Sequence, residues 1–228
     1  MRRWVILGLI TASVLSFGPS LWAAPIVVGT FGGGNCIPFG CSGYFGTTDY
    51  QQVYSASEFG STVSISRITF FAFTTGAQYH LGDGNFDISF SYTTKPVNGL
   101  SGGDPNDNIG ANEALFGSYT LTTEILPAML SFDGNAFSYD PLLGNLLMTV
   151  IITGASESQP FASFEADPSG TVTSRAVFPL GADAEGLVTG FNYFSPTPEP
   201  SESLEVATVL AALAFVKVRT AAQKRPTG

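Results

Sequence analysis

The chain has 228 residues, enough for one domain of ordinary size with short terminal segments, and 44% of them are hydrophobic. Charged residues make up only 12%, against roughly 25% in soluble domains; 26 glycines, 19 phenylalanines and many Ser and Thr suit strands and turns better than helices. The net charge of −9 excludes a nucleic-acid binder that works by neutralising phosphates.

Taken from the N-terminus, residues 1–23 have the build of a secretory signal peptide. Arg2 and Arg3 form a charged start, residues 4–15 are mostly apolar, and Leu21 and Ala23 precede a cleavage point. Signal peptidase is the implied partner. The apolar run is too short to span roughly 30 Å of hydrocarbon as an anchor. Export places Cys36 and Cys41, the two cysteines of the chain, in an oxidising compartment, where a pair this close is expected to form a disulfide. A metal site would need further ligands, and the chain has one histidine.

Residues 24–195 carry fifteen acids against Arg67, Lys95 and Arg175, a balance of −12. Val63 and Ile65, then Ile68 and Phe70, predict a strand with a bulge near Ser66-Arg67. Phe86, Ile88, Phe90 and Tyr92 alternate with Asp87, Ser89, Ser91 and Thr93, the period of a half-buried strand over 85–94. Residues 146–153 are almost wholly apolar, as in a strand covered on both faces. Further strands are expected at 116–123, 129–132, 161–165, 171–178 and 187–194, with turns at Asp133-Gly134-Asn135 and Asp167-Pro168-Ser169-Gly170. No repeat of fixed period and no amphipathic helix is evident. The expected fold is all-β, an antiparallel β-sandwich or jelly roll over 24–195.

Chemistry is sparse. His80 would have to serve any Ser-His-Asp arrangement. Gly99-Leu100-Ser101-Gly102-Gly103 spells G-x-S-x-G, but without a strand before it or a helix after it. Paired carboxylates for glycoside hydrolysis depend on a spatial separation that the sequence does not give. Catalysis is therefore not expected. Asp83, Asn85 and Asp87 place oxygen atoms at alternate positions, and Asp104 and Asn106 do the same, a spacing with which a loop can hold calcium; turn-forming Asp, Asn and Gly produce the same letters for backbone reasons. Residues 95–114 read as a long, mobile loop. That loop and aromatics such as Tyr79 or Tyr139 are the places where a glycan would be sought.

Residues 196–228 mirror the start of the chain. A proline-rich linker around Pro198, Glu199 and Pro200 leads to an apolar stretch at 206–216, and Lys217, Arg219, Lys224 and Arg225 follow. Here the chain resembles the PEP-CTERM sorting signal, with Pro198-Glu199-Pro200 matching its tripeptide. Tyr50-Gln51-Gln52-Val53-Tyr54, Ser138-Tyr139-Asp140-Pro141, Thr173-Ser174-Arg175-Ala176 and residues 186–191 also resemble segments of uncharacterised PEP-CTERM proteins. The resemblance implies processing by an exosortase, transient membrane association through the tail, delivery to the cell surface or medium, and an exopolysaccharide or biofilm-matrix setting. Together these readings describe an exported, non-catalytic surface or matrix protein, with a carbohydrate-binding module as the alternative and a secreted hydrolase as the third.

Overall fold

A computed structural model describes residues 25–156 and 160–192. The expected signal peptide (1–23) and the sorting tail (196–228) with Pro198, Glu199 and Pro200 lie outside the described residues.

The described chain is all-β and antiparallel. A four-stranded sheet has the order β1 (Ile26–Val28), β12 (Thr189–Phe191), β4 (Val63–Phe71), β7 (Met129–Tyr139). A six-stranded sheet runs β11 (Gly181–Asp183), β10 (Thr173–Phe178), β3 (Asp49–Tyr54), β8 (Asn145–Ser156), β5 (Asp83–Thr93), β6 (Ala114–Leu121). A small ribbon pairs β2 (Gly33–Asn35) with β9 (Phe164–Ala166), and one short helix, α1, spans Ser42–Phe45. The inner faces of the two larger sheets share one core, in the manner of a β-sandwich. Ile65, Ile68, Phe70, Phe132 and Phe191 from one sheet meet Tyr50, Tyr54, Phe86, Ile88, Phe90 and Met148 from the other.

Alternation explains β5, where Phe86, Ile88, Phe90 and Tyr92 are all buried. The bulge expected near Ser66-Arg67 is present: register shifts between Ile65, opposite Phe137, and Arg67, opposite Asp133. The extra residues belong to β7. Asp133-Gly134-Asn135, expected as a turn, instead lies inside that strand. Gly134 serves close approach, because a Cβ there would fall 2.5 Å from the carbonyl oxygen of Phe116 on β6. Arg67 closes the bulge with two bonds to the Asp133 carboxylate, 2.6 and 2.5 Å.

The strand 146–153 is covered on both faces only in its first half. Leu146 to Val150 are buried, whereas Ile151 is 47% exposed. The cover is the segment expected to be mobile. Leu100 enters a second, smaller core with Val53, Leu147, Ala176 and Phe178 on the outer face of the six-stranded sheet. Asn108, buried, receives the Ser101 amide on Oδ1 (2.6 Å) and donates Nδ2 to the Ser101 carbonyl (2.9 Å) and to Gln51 Oε1 (2.7 Å). Residues 97–109 are thus a packed lid, whereas 110–113 are exposed and Ala114 opens β6.

Strand β3, absent from the sequence expectations, is buried along nearly its whole length and carries two adjacent glutamines on opposite faces. Gln51 Nε2 donates to the lid carbonyl of Pro105 (3.0 Å). Gln52 faces the main core, donating to the carbonyl of Leu187 (2.7 Å) and accepting from the Leu187 amide (2.8 Å) and from the Tyr50 hydroxyl. Its side chain thereby treats Leu187 as a strand neighbour would. Replacing Gln52 with Leu keeps much of the volume but strands these groups in an apolar interior. We expect a loss of about 3 kcal/mol in urea unfolding, read as a lower midpoint with unchanged slope.

Burial also pushes the phenols of Tyr50 and Tyr54 well above their usual range. Their contribution is fully present below pH ~10, where both states hold the proton. Above it the unfolded chain releases protons that the fold retains, so stability falls as pH rises. In an alkaline titration followed by tyrosinate absorbance, these two phenols should ionise only together with loss of the β circular-dichroism signal.

Candidate functional site

The expected disulfide is formed: Cys36 and Cys41 are bridged, with Cα atoms 5.4 Å apart. The six-residue loop it closes acts as a plug. Phe39 is fully buried, its ring centroid 5.1 Å from Phe70, 5.4 Å from Phe86, 5.1 Å from Phe132 and 5.9 Å from Phe164. The Gly40 amide donates to the Cys36 carbonyl (2.7 Å), and the Ser42 hydroxyl donates to the Pro38 carbonyl (2.6 Å). Gly40 has no room for a side chain, since a Cβ would meet the Ala162 carbonyl oxygen at 2.1 Å.

Helix α1 follows Cys41 directly and ends at Gly46, whose φ of 63° is a left-handed cap. With Phe39 turned inward, the helix turns its own aromatics outward. Tyr44 is 64% exposed and Phe45 43%. The Tyr44 ring lies 5.0 Å from Phe45 and 5.2 Å from Phe161. Beside Phe161 runs His80, bridged through its backbone to Phe161 and Ile125; its Nδ1 is enclosed and takes no hydrogen bond among the described residues. Three adjoining rings, two of them open to solvent, with a histidine at their margin, form an aromatic platform at one end of the sandwich.

The other sequence candidates are dispersed. Asp83, Asn85 and Asp87 occupy strand β5 rather than a loop. Alternate residues of a strand stand about 6.8 Å apart in a line, which does not wrap an ion. The Asp83 carboxylate accepts from the Thr123 hydroxyl (2.5 Å), and Asn85 Oδ1 accepts from the Thr120 hydroxyl (2.8 Å). Asp104 caps a turn in the lid by accepting from the Asn106 amide (2.9 Å) and side chain (3.0 Å). Among the described residues no three His, Cys, Asp or Glu side chains come together.

Ser101 and His80 belong to different places. Ser101 lies in the lid, its hydroxyl donating to Asp107 (3.3 Å), while His80 lies beside Phe161. Tyr139 is a core residue whose hydroxyl donates to the Gly144 carbonyl (2.7 Å), and Tyr79 is half-buried. A pocket of about 190 Å³ opens beside β10 and β11, lined by Asn98, Leu100, Ser174, Arg175, Asp183 and two alanines. Arg175 donates twice to Asp183 (2.8 and 3.0 Å) and once to Glu185 (3.1 Å) through Nε and Nη2, while its buried Nη1 takes no hydrogen bond among the described residues. Compared with protein-family profiles, with curated proteins and with solved structures, the chain matches none.

The plug should govern the platform. Gly40→Ala is expected to destabilise by about 3 kcal/mol, because the clash is with backbone, and Cys36→Ser with Cys41→Ser by about 2 kcal/mol from the lost loop constraint. Both effects can be measured as denaturant midpoints.

Proposed function

We propose that this chain is an exported surface or matrix protein that works by binding, and that its domain holds neutral polysaccharide on the Tyr44–Phe45–Phe161 platform. The observation that carries this reading is the platform itself. Exposed aromatic rings offer a flat apolar face to the C–H groups of a sugar ring. The exposed Tyr44 adds a phenolic hydroxyl that can meet those of a sugar. A domain balance of −12 disfavours anionic polymers, which narrows the ligand to uncharged glycans.

Export is supported by the build of residues 1–23 and by a disulfide whose loop fills the core, a construction suited to an oxidising compartment. The Pro198-Glu199-Pro200 resemblance supports exosortase processing. Mass spectrometry of the protein from its native envelope and medium tests this directly: a species beginning near Ala24 and ending near Pro200 is expected, and retention of residues 204–228 would refute tail processing.

For the binding reading, affinity electrophoresis in gels containing neutral polysaccharides should retard the wild-type protein. Tyr44→Ala is expected to weaken that retardation about tenfold, without moving the unfolding midpoint, because Tyr44 is mostly in solvent. A wild-type protein that no neutral glycan retards, or a Tyr44→Ala variant that binds equally, would rule the platform out.

A further inference from the structure

The lid does not close flush on the β10–β11 edge of the six-stranded sheet. It stands there on two supports. At Asn98, whose φ of 62° is left-handed, the amide donates to Ser174 Oγ (2.7 Å) and Nδ2 donates to the Gly170 carbonyl (2.6 Å). At Gly102 the backbone comes so close to β11 that a Cβ would fall 2.9 Å from the Ala182 amide nitrogen. Between the supports Leu100 drops into the small core with Ala176 and Phe178. The pocket of about 190 Å³ lies between this arch and the hairpin.

Strand alternation decides which side chains reach it. Arg175 pairs with Gln52 on one side and Asp183 on the other, so its guanidinium and the Asp183 carboxylate belong to the core face that Gln52 occupies. Ser174 pairs with Val53, and Ala182 with Ala176, on the face that the lid covers. Arg175 and Asp183 thus border the pocket through their main chain. The side chains presented to it are uncharged: the methyls of Ala182 and Ala184, Leu100, the Ser174 hydroxyl and the Asn98 amide.

Both polar groups are half used. Ser174 is 1% exposed; its oxygen accepts from the Asn98 amide, while its hydrogen goes to no acceptor among the described residues. Asn98 gives Nδ2 to Gly170, and its Oδ1 receives nothing among the described residues. A buried hydroxyl hydrogen without an acceptor is destabilising, so a group that supplies one is bound favourably. The pocket therefore offers one donor, one acceptor and a wall of methyls. A methyl-bearing secondary amide answers all three, its carbonyl on Ser174, its N–H on Asn98 and its methyl against the alanines.

We propose that this pocket receives the acetamido group of an N-acetylated sugar. Its volume lies below the roughly 300 Å³ at which pockets for drug-sized molecules begin, which suits one functional group. A peptide amide carries chain on both sides and would have to pass Asn98 and Gly102, whereas an acetamido group is terminal. The pocket shares no residue with the Tyr44–Phe45–Phe161 platform, so this inference stands apart from that reading.

The test is saturation-transfer NMR on the full-length chain with N-acetylglucosamine as the probe. The acetyl methyl should be its most strongly saturated group, and excess glucose should not displace it. Ala182→Leu, at an exposed position, fills the pocket and should weaken binding about tenfold without moving the unfolding midpoint. Asn98→Gly suits the left-handed backbone and removes the Oδ1 acceptor; it should weaken binding about fivefold. Tyr44→Ala should change nothing. A wild-type chain that gives no saturation, displacement by glucose, or equal binding by Ala182→Leu would each overturn the inference. Loss of binding in Tyr44→Ala would move the sugar to the platform and overturn it too. Tighter binding of N-acetylalanine N-methylamide would assign the pocket to a peptide, with the same result.

Discussion

The fold depends on the amides of Gln51 and Gln52, side by side in a strand with no access to water. A buried amide must find partners or cost the structure heavily, and these two find theirs in opposite directions. Gln52 binds both backbone groups of Leu187 on the approach to β12, and Gln51 binds the lid through Pro105 and Asn108. One dipeptide therefore fixes β3 to the layer above and to the layer below. A slip of one residue would send Tyr50 and Tyr54 from the large aromatic core into the small one under Leu100.

That same feature hid β3 in the sequence. Strand β5 is legible because its outward face is polar wherever it meets water, so its period shows. Strand β3 is covered on both faces, and Tyr-Gln-Gln-Val-Tyr has no alternation to read. Asp133-Gly134-Asn135 misled for a related reason. Its residues are those of a turn, yet here they supply a bulge and a point where β7 passes close to β6, both of which depend on packing between distant segments. Likewise, the Gly and Asn content of residues 95–114 suits a mobile loop, but Asn108 uses its side chain as internal scaffolding. Local composition does not distinguish the two.

The site divides in the same way. The disulfide was legible because spacing and compartment chemistry suffice for a pair five residues apart. The platform was not. In a chain with 19 phenylalanines and 8 tyrosines, which rings face solvent is decided by the core once it is full. Tyr139 looked available and is fully buried; Tyr44 gave no signal beyond its place in Cys41-Ser42-Gly43-Tyr44-Phe45, where Phe39 has already taken the inward position.

The short strand β12 has a mechanical consequence. It lies between β1 and β4, and the chain leaves it past Asn192, which sits beside Arg67 midway along β4, heading away from the end that carries Tyr44. A pull between the platform and the C-terminal exit would run nearly parallel to the strands. The hydrogen bonds of an antiparallel ladder lie perpendicular to them, so β12 would be loaded in shear, its bonds to both neighbours sharing the strain instead of parting one after another. The side-chain bonds of Asn192 to Ser64 and Ser66 extend that grip by one residue beyond the ladder.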